Sequence, residues 1–180
     1  MRPKSYSPTQ KVLHWIIFAL VLILYTIPLT EDLFPQGSPE RDNVWWLHIS
    51  FGLLLLLLVL WRVSLRAIRS TPAFPQQMSA SEQKIATLVH FLLYFLLLAI
   101  PIVGIVLAQL HGNALSFFGL FTIPQFFTPN KELASTVKDV HELLATSILI
   151  LAGIHALAAV WHHFYKKDGV LKRMLPGEND

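Results

Sequence analysis

The chain contains four long runs of apolar residues, separated by shorter segments that carry most of its charged residues. The runs extend from about Val12 to Leu29, Val44 to Trp61, Ile85 to Leu110 and Val140 to Tyr165. A helix needs about 20 apolar residues to cross the hydrocarbon core of a bilayer. Because backbone polar groups must be satisfied within the lipid, the runs predict four transmembrane helices, at about residues 8–29, 44–65, 80–110 and 137–165.

The starts of two helices carry capping signals. Ser7 can cap the first helix, with Pro8 at the first helical position. Ser79 and Glu82 have the spacing of a capping box ahead of the third helix. The first apolar run ends at Leu29 without the small residues of a cleavage site, so we interpret it as a retained helix and not as a signal peptide.

The composition supports a membrane location for the whole chain. Of 180 residues, 54% are hydrophobic and 14% charged, and the mean hydropathy is +0.54. Such apolar content excludes disorder and a nucleic-acid-binding module. The absence of cysteine excludes disulfides, iron–sulfur clusters, Cys-ligated zinc and covalently attached c-type haem. We therefore predict an all-α integral membrane protein, a four-helix bundle with one domain over residues 1–180.

The positive charges are distributed unequally between the two sides of this bundle. One side receives both termini and the loop from Arg62 to Lys84, and it holds 11 of the 14 lysines and arginines. These are Arg2, Lys4, Lys11, Arg62, Arg66, Arg69, Lys84, Lys166, Lys167, Lys172 and Arg173. The other side holds only Arg41, Lys131 and Lys138, against seven acids. By the positive-inside rule, both termini are cytoplasmic.

The histidines are the candidate functional residues, since ionisable residues within membrane spans are costly and by default functional. His141 and His155 on the fourth helix are 14 positions apart, which is about 21 Å along the axis and nearly four turns. They therefore lie on one face, one in each half of the membrane. A helix that presents two imidazoles in this way can hold two stacked metal centres.

Each centre needs a second ligand from another helix. His48 matches His141 in depth, and His14 broadly matches His155. Imidazole pairs on opposite sides of an iron porphyrin are the usual way to hold b-type haem in a bundle. A zinc or di-iron site fits less well, because its ligands would converge on one point. Depth does not separate His14 and His155 from two further histidines of the same half. These are His90 and His162, which can serve a quinone pocket or the interface.

Two glycines lie close to these histidines. Gly52 is one turn from His48, and Gly153 is beside His155. Both can leave room for a flat macrocycle, although close helix packing is the commoner use of glycine in membrane helices.

Taken together, the motifs resemble the bacterial cytochrome b561 family over almost the whole chain. They are Tyr6-Ser7, Gln10, Leu13-His14-Trp15, Leu47-His48-Ile49-Ser50-Phe51-Gly52, Val140-His141-Glu142, Gly153-Ile154-His155-Ala156, His162-His163 before Lys166-Lys167-Asp168, and the His90-to-Pro101 spacing. The resemblance implies an inner-membrane protein with two haem b groups. His14 and His155 would be the axial ligands of the cytoplasmic haem, and His48 and His141 those of the periplasmic haem.

The resemblance also implies a reaction and its partners. Periplasmic superoxide would be oxidised to dioxygen, and the electrons would reach ubiquinone near the cytoplasmic haem. Ser7 and His162 would lie near that quinone. The adjoining loop, residues 71–77, lacks the lysines associated with the family's closest members. The remaining expectations are contact with lipid, no nucleic acid, and a monomer or weak oligomer.

Other functions remain open on the sequence. Superoxide is an anion, yet the outer loops carry three bases against seven acids, so attraction would require a local patch of Arg41, Lys131 and Lys138. A quinol-oxidising cytochrome would run electrons outward to a periplasmic acceptor. The chain can also be a haem-bearing anchor subunit of a larger oxidoreductase. A bundle without cofactor would leave the paired histidines unexplained.

Overall fold

The computed structural model describes residues 5–175, so Arg2 and Lys4, which contribute to the predicted orientation, lie outside the described residues. The long elements are four α-helices: α1 (Pro8–Thr26), α2 (Pro39–Ile68), α3 (Ala80–His111) and α4 (Lys131–Trp161). The short elements are a 3-10 helix (Pro28–Leu33), strands β1 (Leu115–Phe117) and β2 (Phe121–Ile123), a π-helical turn (His162–Lys166) and a 3-10 turn (Lys172–Met174). The four long helices are apolar and long enough to cross a membrane, which confirms the predicted helical architecture.

Several helix ends differ from the predicted bounds. The α-helical part of α1 ends at Thr26, since Pro28 lacks the N–H that would continue the ladder. Helix α2 begins earlier than predicted because Ser38 caps it through the Arg41 N–H. Helix α4 begins at Lys131, where Asn130 caps it. The predicted bounds were therefore too narrow where polar first turns precede the apolar run.

The predicted caps of α1 and α3 are confirmed. The Ser7 hydroxyl accepts from the Gln10 N–H at 3.4 Å, and the Gln10 side chain accepts from the Ser7 N–H at 3.1 Å. Ser79 accepts from the Glu82 N–H at 3.3 Å, and Glu82 accepts from the Ser79 N–H at 2.8 Å. Both boxes fix where a helix begins at the same end of the bundle.

The helices pack in chain order, and the packing is uneven. Helix α3 packs extensively on α4, while α2 lies between α1 and α3. A cluster of buried residues joins α1 to α2: Ile17, Leu20, Leu24, Leu55 and Val59. Helix α4 makes few contacts with α1 or α2. A gap therefore separates α4 from the helices that carry His14 and His48.

A small β-hairpin, which the sequence did not predict, covers one end of the bundle. Its strands β1 and β2 are antiparallel, with Leu115 opposite Ile123. Ser50, fully buried in α2, donates to the Ser116 carbonyl at 2.9 Å and accepts from the Phe118 N–H at 3.2 Å. Buried Gln109 donates to the Pro124 carbonyl at 2.9 Å. Two buried polar side chains thus attach the hairpin to α2 and α3.

Candidate functional site

His48 and His141 face each other near the hairpin, across the gap between α2 and α4. Their ring centroids are 6.3 Å apart and the ring planes are inclined at 78°. The Nδ1 atoms of both rings are buried without a hydrogen-bond partner among residues 5–175. The backbone of Leu24 interacts with the His48 side chain, and that of Ile100 with the His141 side chain. We call this pair the outer centre.

The spacing of the outer centre suits two ligands of one haem iron. Two imidazoles bonded on opposite sides of an iron through nitrogens at about 2.0 Å have ring centroids roughly 6.2 Å apart. A direct hydrogen bond between the two rings would bring their centroids closer than the observed 6.3 Å. The two buried nitrogens and this spacing fit a group that lies between the rings.

An apolar cavity of about 100 Å³ adjoins the outer centre. Its lining includes both histidines, Gly52, Gly104, Pro101 and Leu115, of which Leu115 belongs to the hairpin. Gly104 makes the tightest approach, because a Cβ there would lie 3.0 Å from Cε1 of His141. This glycine, which the sequence analysis missed, is required for the His141 ring to lie against α3.

The two glycines singled out from the sequence behave differently from Gly104. A Cβ added at Gly52 or Gly153 would meet no atom within 4 Å. Close helix packing is therefore not the reason for glycine at either position. Gly52 lines the cavity beside His48, where the absent side chain leaves space.

A second cluster, the inner centre, contains three histidines from three helices. His14 and His155 have ring centroids 6.4 Å apart and planes at 85°, close to the geometry of the outer pair. His90 of α3 is closer to His155, with centroids 5.2 Å apart. That distance is shorter than two ligands on opposite sides of one iron require. His14 and His155 therefore have the spacing that fits a haem, and His90 lies beside them.

His162 lies in a separate polar pair. Its Nδ1 contacts the carboxylate of Asp168, and both side chains are almost fully buried. The π-helical turn and Lys167, whose backbone is left-handed at φ 55°, reverse the chain direction after α4. Asp168 therefore reaches the His162 ring. The other oxygen of Asp168 accepts from the Val170 N–H at 3.2 Å. Sequence reasoning noted His162 but missed its carboxylate partner.

Ser7 and the segment after His162 lie at the same end of the bundle. The Tyr6 N–H donates to the Arg173 carbonyl at 3.4 Å, and the Trp15 Nε1–H donates to the Met174 carbonyl at 3.0 Å. Arg173 also donates to the Ala73 carbonyl in the loop between α2 and α3. The Ser7 hydroxyl itself takes part in the cap of α1.

Charged side chains are arranged differently around the two centres. Arg62 and Arg66 lie in the last two turns of α2, which extends past its predicted end at residue 65, and Arg62 donates to the Gln10 carbonyl at 2.7 Å. At the other end, Arg41 pairs with Glu31 at 2.7 Å, and Lys138 pairs with Glu142 at 3.4 Å. Two of the three cations expected to attract an anion there are therefore partly neutralised. Lys131, the third, is exposed in the first turn of α4.

Buried histidines that face each other across a gap between membrane-spanning helices are typical of a membrane cytochrome of the b type. Comparison with known proteins gives the same class. Residues 5–177 match the family of prokaryotic cytochrome b561. The chain is 35% identical over 171 residues to cytochrome b561 homolog 1 of Escherichia coli K12, covering 95% of this chain and 97% of that protein.

Two further relatives are similar along their full length. The probable superoxide oxidase CybB of Yersinia pestis is 33% identical over 176 residues, which cover 96% of this chain and 97% of that protein. Cytochrome b562 of Cereibacter sphaeroides is 29% identical, with 95% of each chain covered. The chain belongs to the prokaryotic cytochrome b561 family. It is a multi-pass inner-membrane electron-transfer protein of the oxidoreductase class that binds b-type haem.

Proposed function

We propose that the protein carries two b haems and oxidises periplasmic superoxide, passing the electrons to ubiquinone. The balanced reaction takes two superoxide anions, one ubiquinone and two protons to two dioxygen molecules and one ubiquinol. One of the full-length relatives is named a probable superoxide oxidase, which supports this substrate. The proposed orientation places both termini in the cytoplasm and the hairpin at the periplasmic surface, as the distribution of lysine and arginine indicates.

The observation that carries the proposal is the presence of two histidine pairs with nearly equal spacing. The outer pair, His48 and His141, and the inner pair, His14 and His155, have centroid separations of 6.3 and 6.4 Å. Both pairs use α4, where their residues are about 21 Å apart along the axis. We therefore assign His48 and His141 to the periplasmic haem and His14 and His155 to the cytoplasmic one.

The residues around each pair have defined roles in this proposal. Haem b would supply one-electron chemistry when bound, and two histidines held to each haem would leave no position at the iron for substrate. Pro101, Gly104 and Leu115 keep the outer centre apolar and exclude water. His90 fills the space beside His155 and holds that ring in place.

The quinone side of the proposal rests on the polar groups of the cytoplasmic end. Ubiquinone needs two protons for each pair of electrons, so a titratable group must lie close to it. His162, whose ring contacts the Asp168 carboxylate, is buried at this end and can transfer a proton to the quinone. Ser7 lies at the start of α1, next to the segment that follows His162. The convergence of α1, the 71–77 loop and this segment supports a quinone pocket at this end.

One observation favours a second candidate, a cytochrome that oxidises quinol and delivers electrons to a periplasmic acceptor. Arg41 and Lys138 are paired with carboxylates, so the outer surface has little free positive charge to attract superoxide. A protein acceptor with a basic surface would suit that end at least as well. The histidine pairs serve either direction of electron flow.

Stopped-flow spectroscopy of the purified protein tests the proposal. The oxidised protein is mixed either with superoxide or with ubiquinol, and haem reduction is followed in the visible spectrum. We expect rapid reduction by superoxide, followed by reoxidation when ubiquinone is added. A His48→Ala variant should lose the reaction with superoxide but keep haem at the inner centre.

Two outcomes would overturn the proposal. Fast reduction by ubiquinol with no reaction with superoxide would establish the second candidate. Co-purification with a soluble oxidoreductase, without which the chain neither takes up nor delivers electrons, would indicate an anchor subunit. An active, monodisperse chain on its own excludes that last reading.

A further inference from the structure

Arg62 is a cation placed between the helices that carry the inner histidines. Its Nη1 donates to the Gln10 carbonyl at 2.7 Å, one turn before His14 on α1. Its guanidinium carbon lies 5.9 Å from the ring centre of Tyr94, one turn after His90 on α3. The side chain is half-buried and not turned out to solvent. The guanidinium is thus fixed on two sides at the depth of the inner centre.

The field of Arg62 acts on all three inner histidines. It interacts electrostatically with His14, His90 and His155, and Arg66 adds a second positive contribution at His90. Two acidic side chains at this end of the bundle form ion pairs with residues outside the inner centre. Glu82 contacts Lys166 at 3.0 Å, and Asp168 pairs with His162. The inner centre is therefore in a positive environment.

The outer centre lacks such a cation. The carboxylate of Glu142, adjacent in sequence and paired with Lys138 at 3.4 Å, acts on His141, and among residues 5–175 no arginine or lysine acts on either outer histidine. No lysine or arginine is among the residues that line the apolar cavity beside the pair. Two centres with the same kind of ligands thus differ mainly in the charge around them.

We propose that Arg62 makes the inner centre the electron acceptor of the pair and so sets an inward direction of electron flow. This inference rests on the proposed di-haem function. Transfer moves one electron and no proton: iron at the outer centre goes from Fe(II) to Fe(III), and iron at the inner centre from Fe(III) to Fe(II). A fixed cation in a medium of low dielectric constant favours the more reduced, less positive iron. The direction agrees with delivery of electrons to a quinone at the cytoplasmic end.

Potentiometric titration of the haem absorbance tests the proposal on detergent-purified protein. In Arg62→Gln we expect the higher-potential component alone to move to lower potential. The equilibrium constant for transfer from the outer to the inner haem should fall at least tenfold, which equals about 59 mV for a one-electron couple. Arg62→Lys keeps the charge and should stay within threefold of the wild-type value.

Two further variants complete the design. Arg69→Gln removes an exposed arginine at the end of the same helix and should leave both potentials unchanged. Arg66→Gln removes an exposed side chain that also contacts Tyr94, and it should move the same component in the same direction by a smaller amount. Because Arg66 is exposed, this variant should fold even where Arg62→Gln loses haem.

The results separate the two proposals. Wild-type protein with fewer than two haems would contradict the proposed function itself. Two haems with unchanged potentials in Arg62→Gln, or equal shifts of both components, would overturn the role of Arg62 alone. An Arg62→Lys shift as large as that of Arg62→Gln would assign the effect to the Gln10 hydrogen bond and also overturn it. If Arg62→Gln loses haem, the Arg66→Gln variant takes its place as the test. Haem potentials in Arg66→Gln equal to those of the wild type would then overturn the proposal.

Discussion

The two ends of the bundle present similar pairs of histidines in different surroundings. The outer centre consists of two histidines next to an apolar cavity, with a hairpin above them and with Nδ1 atoms that have no hydrogen-bond partner among the described residues. The inner centre has three histidines, an arginine between the helices, and a buried histidine–carboxylate pair nearby. An apolar, covered end suits transfer of electrons alone, whereas a charged and titratable end suits transfer of electrons with protons. This difference is the basis of our proposal that the inner end handles a quinone.

The largest expected effect comes from removal of an outer ligand. His141→Ala should eliminate the outer haem and leave one haem per chain, because His48 alone supplies a single ligand. Haem quantitation against protein, together with the reduced-minus-oxidised spectrum, measures this. His111→Ala, an exposed histidine at the end of α3, is the control and should keep two haems. Two haems in His141→Ala would break the assignment of the outer centre.

A smaller effect, confined to the inner end, is expected from the buried pair. Asp168→Asn leaves His162 without its carboxylate, so proton transfer to quinone should slow by about tenfold or more. Haem reduction by superoxide should be unchanged, since the outer centre is untouched. Stopped-flow measurement of both half-reactions separates the two arms. Equal slowing of both would show that the ends are not functionally distinct.

The apolar outer end can be tested through its tightest contact. In Gly104→Ala the new methyl would lie 3.0 Å from Cε1 of His141, so that ring must shift. We expect destabilisation of about 1–3 kcal/mol and a perturbed spectrum of the outer haem only. Gly153→Ala, whose added methyl meets no protein atom within 4 Å, is the matched control for stability. Identical thermal unfolding of the two variants would contradict the described packing.

The smallest effect is expected from the hairpin. Ser50→Ala removes the two hydrogen bonds that join β1 and the following turn to α2, each worth about 1 kcal/mol. Hydrogen exchange of residues 115–123 should accelerate, while the inner centre is unaffected. The control is Ser147→Ala, because Ser147 donates only within its own helix, to Leu143. Unchanged exchange in Ser50→Ala would mean that the hairpin is held by other contacts.

Much of this architecture could be predicted from the sequence because the bilayer restricts the possible structures. Apolar runs of sufficient length must be helices in lipid, and a helix of fixed repeat places His141 and His155 on one face. The same repeat predicts the depth of His14 and His48. In the structure the rings of the two pairs have centroids 6.4 and 6.3 Å apart, and their role as haem ligands stays a prediction.

The remaining features depend on tertiary contacts that no local pattern reveals. The strands of the hairpin have three residues each and rely on side chains of Ser50 and Gln109, which are distant in sequence. The role of Gly104 depends on how α3 and α4 are aligned. Asp168 reaches His162 only because a π-helical turn and one left-handed residue follow α4. The sequence signal for the role of Gly104 was its spacing from Pro101. The signal for the pairing of Asp168 with His162 was the Lys167-Asp168-Gly169 turn.

We propose above that this chain holds two b haems, each between one pair of histidines. Haem quantitation of the purified wild-type protein, combined with its reduced-minus-oxidised visible spectrum, is the decisive measurement. We expect two low-spin b haems per chain. One haem per chain, or a high-spin spectrum with an open coordination position, would contradict it.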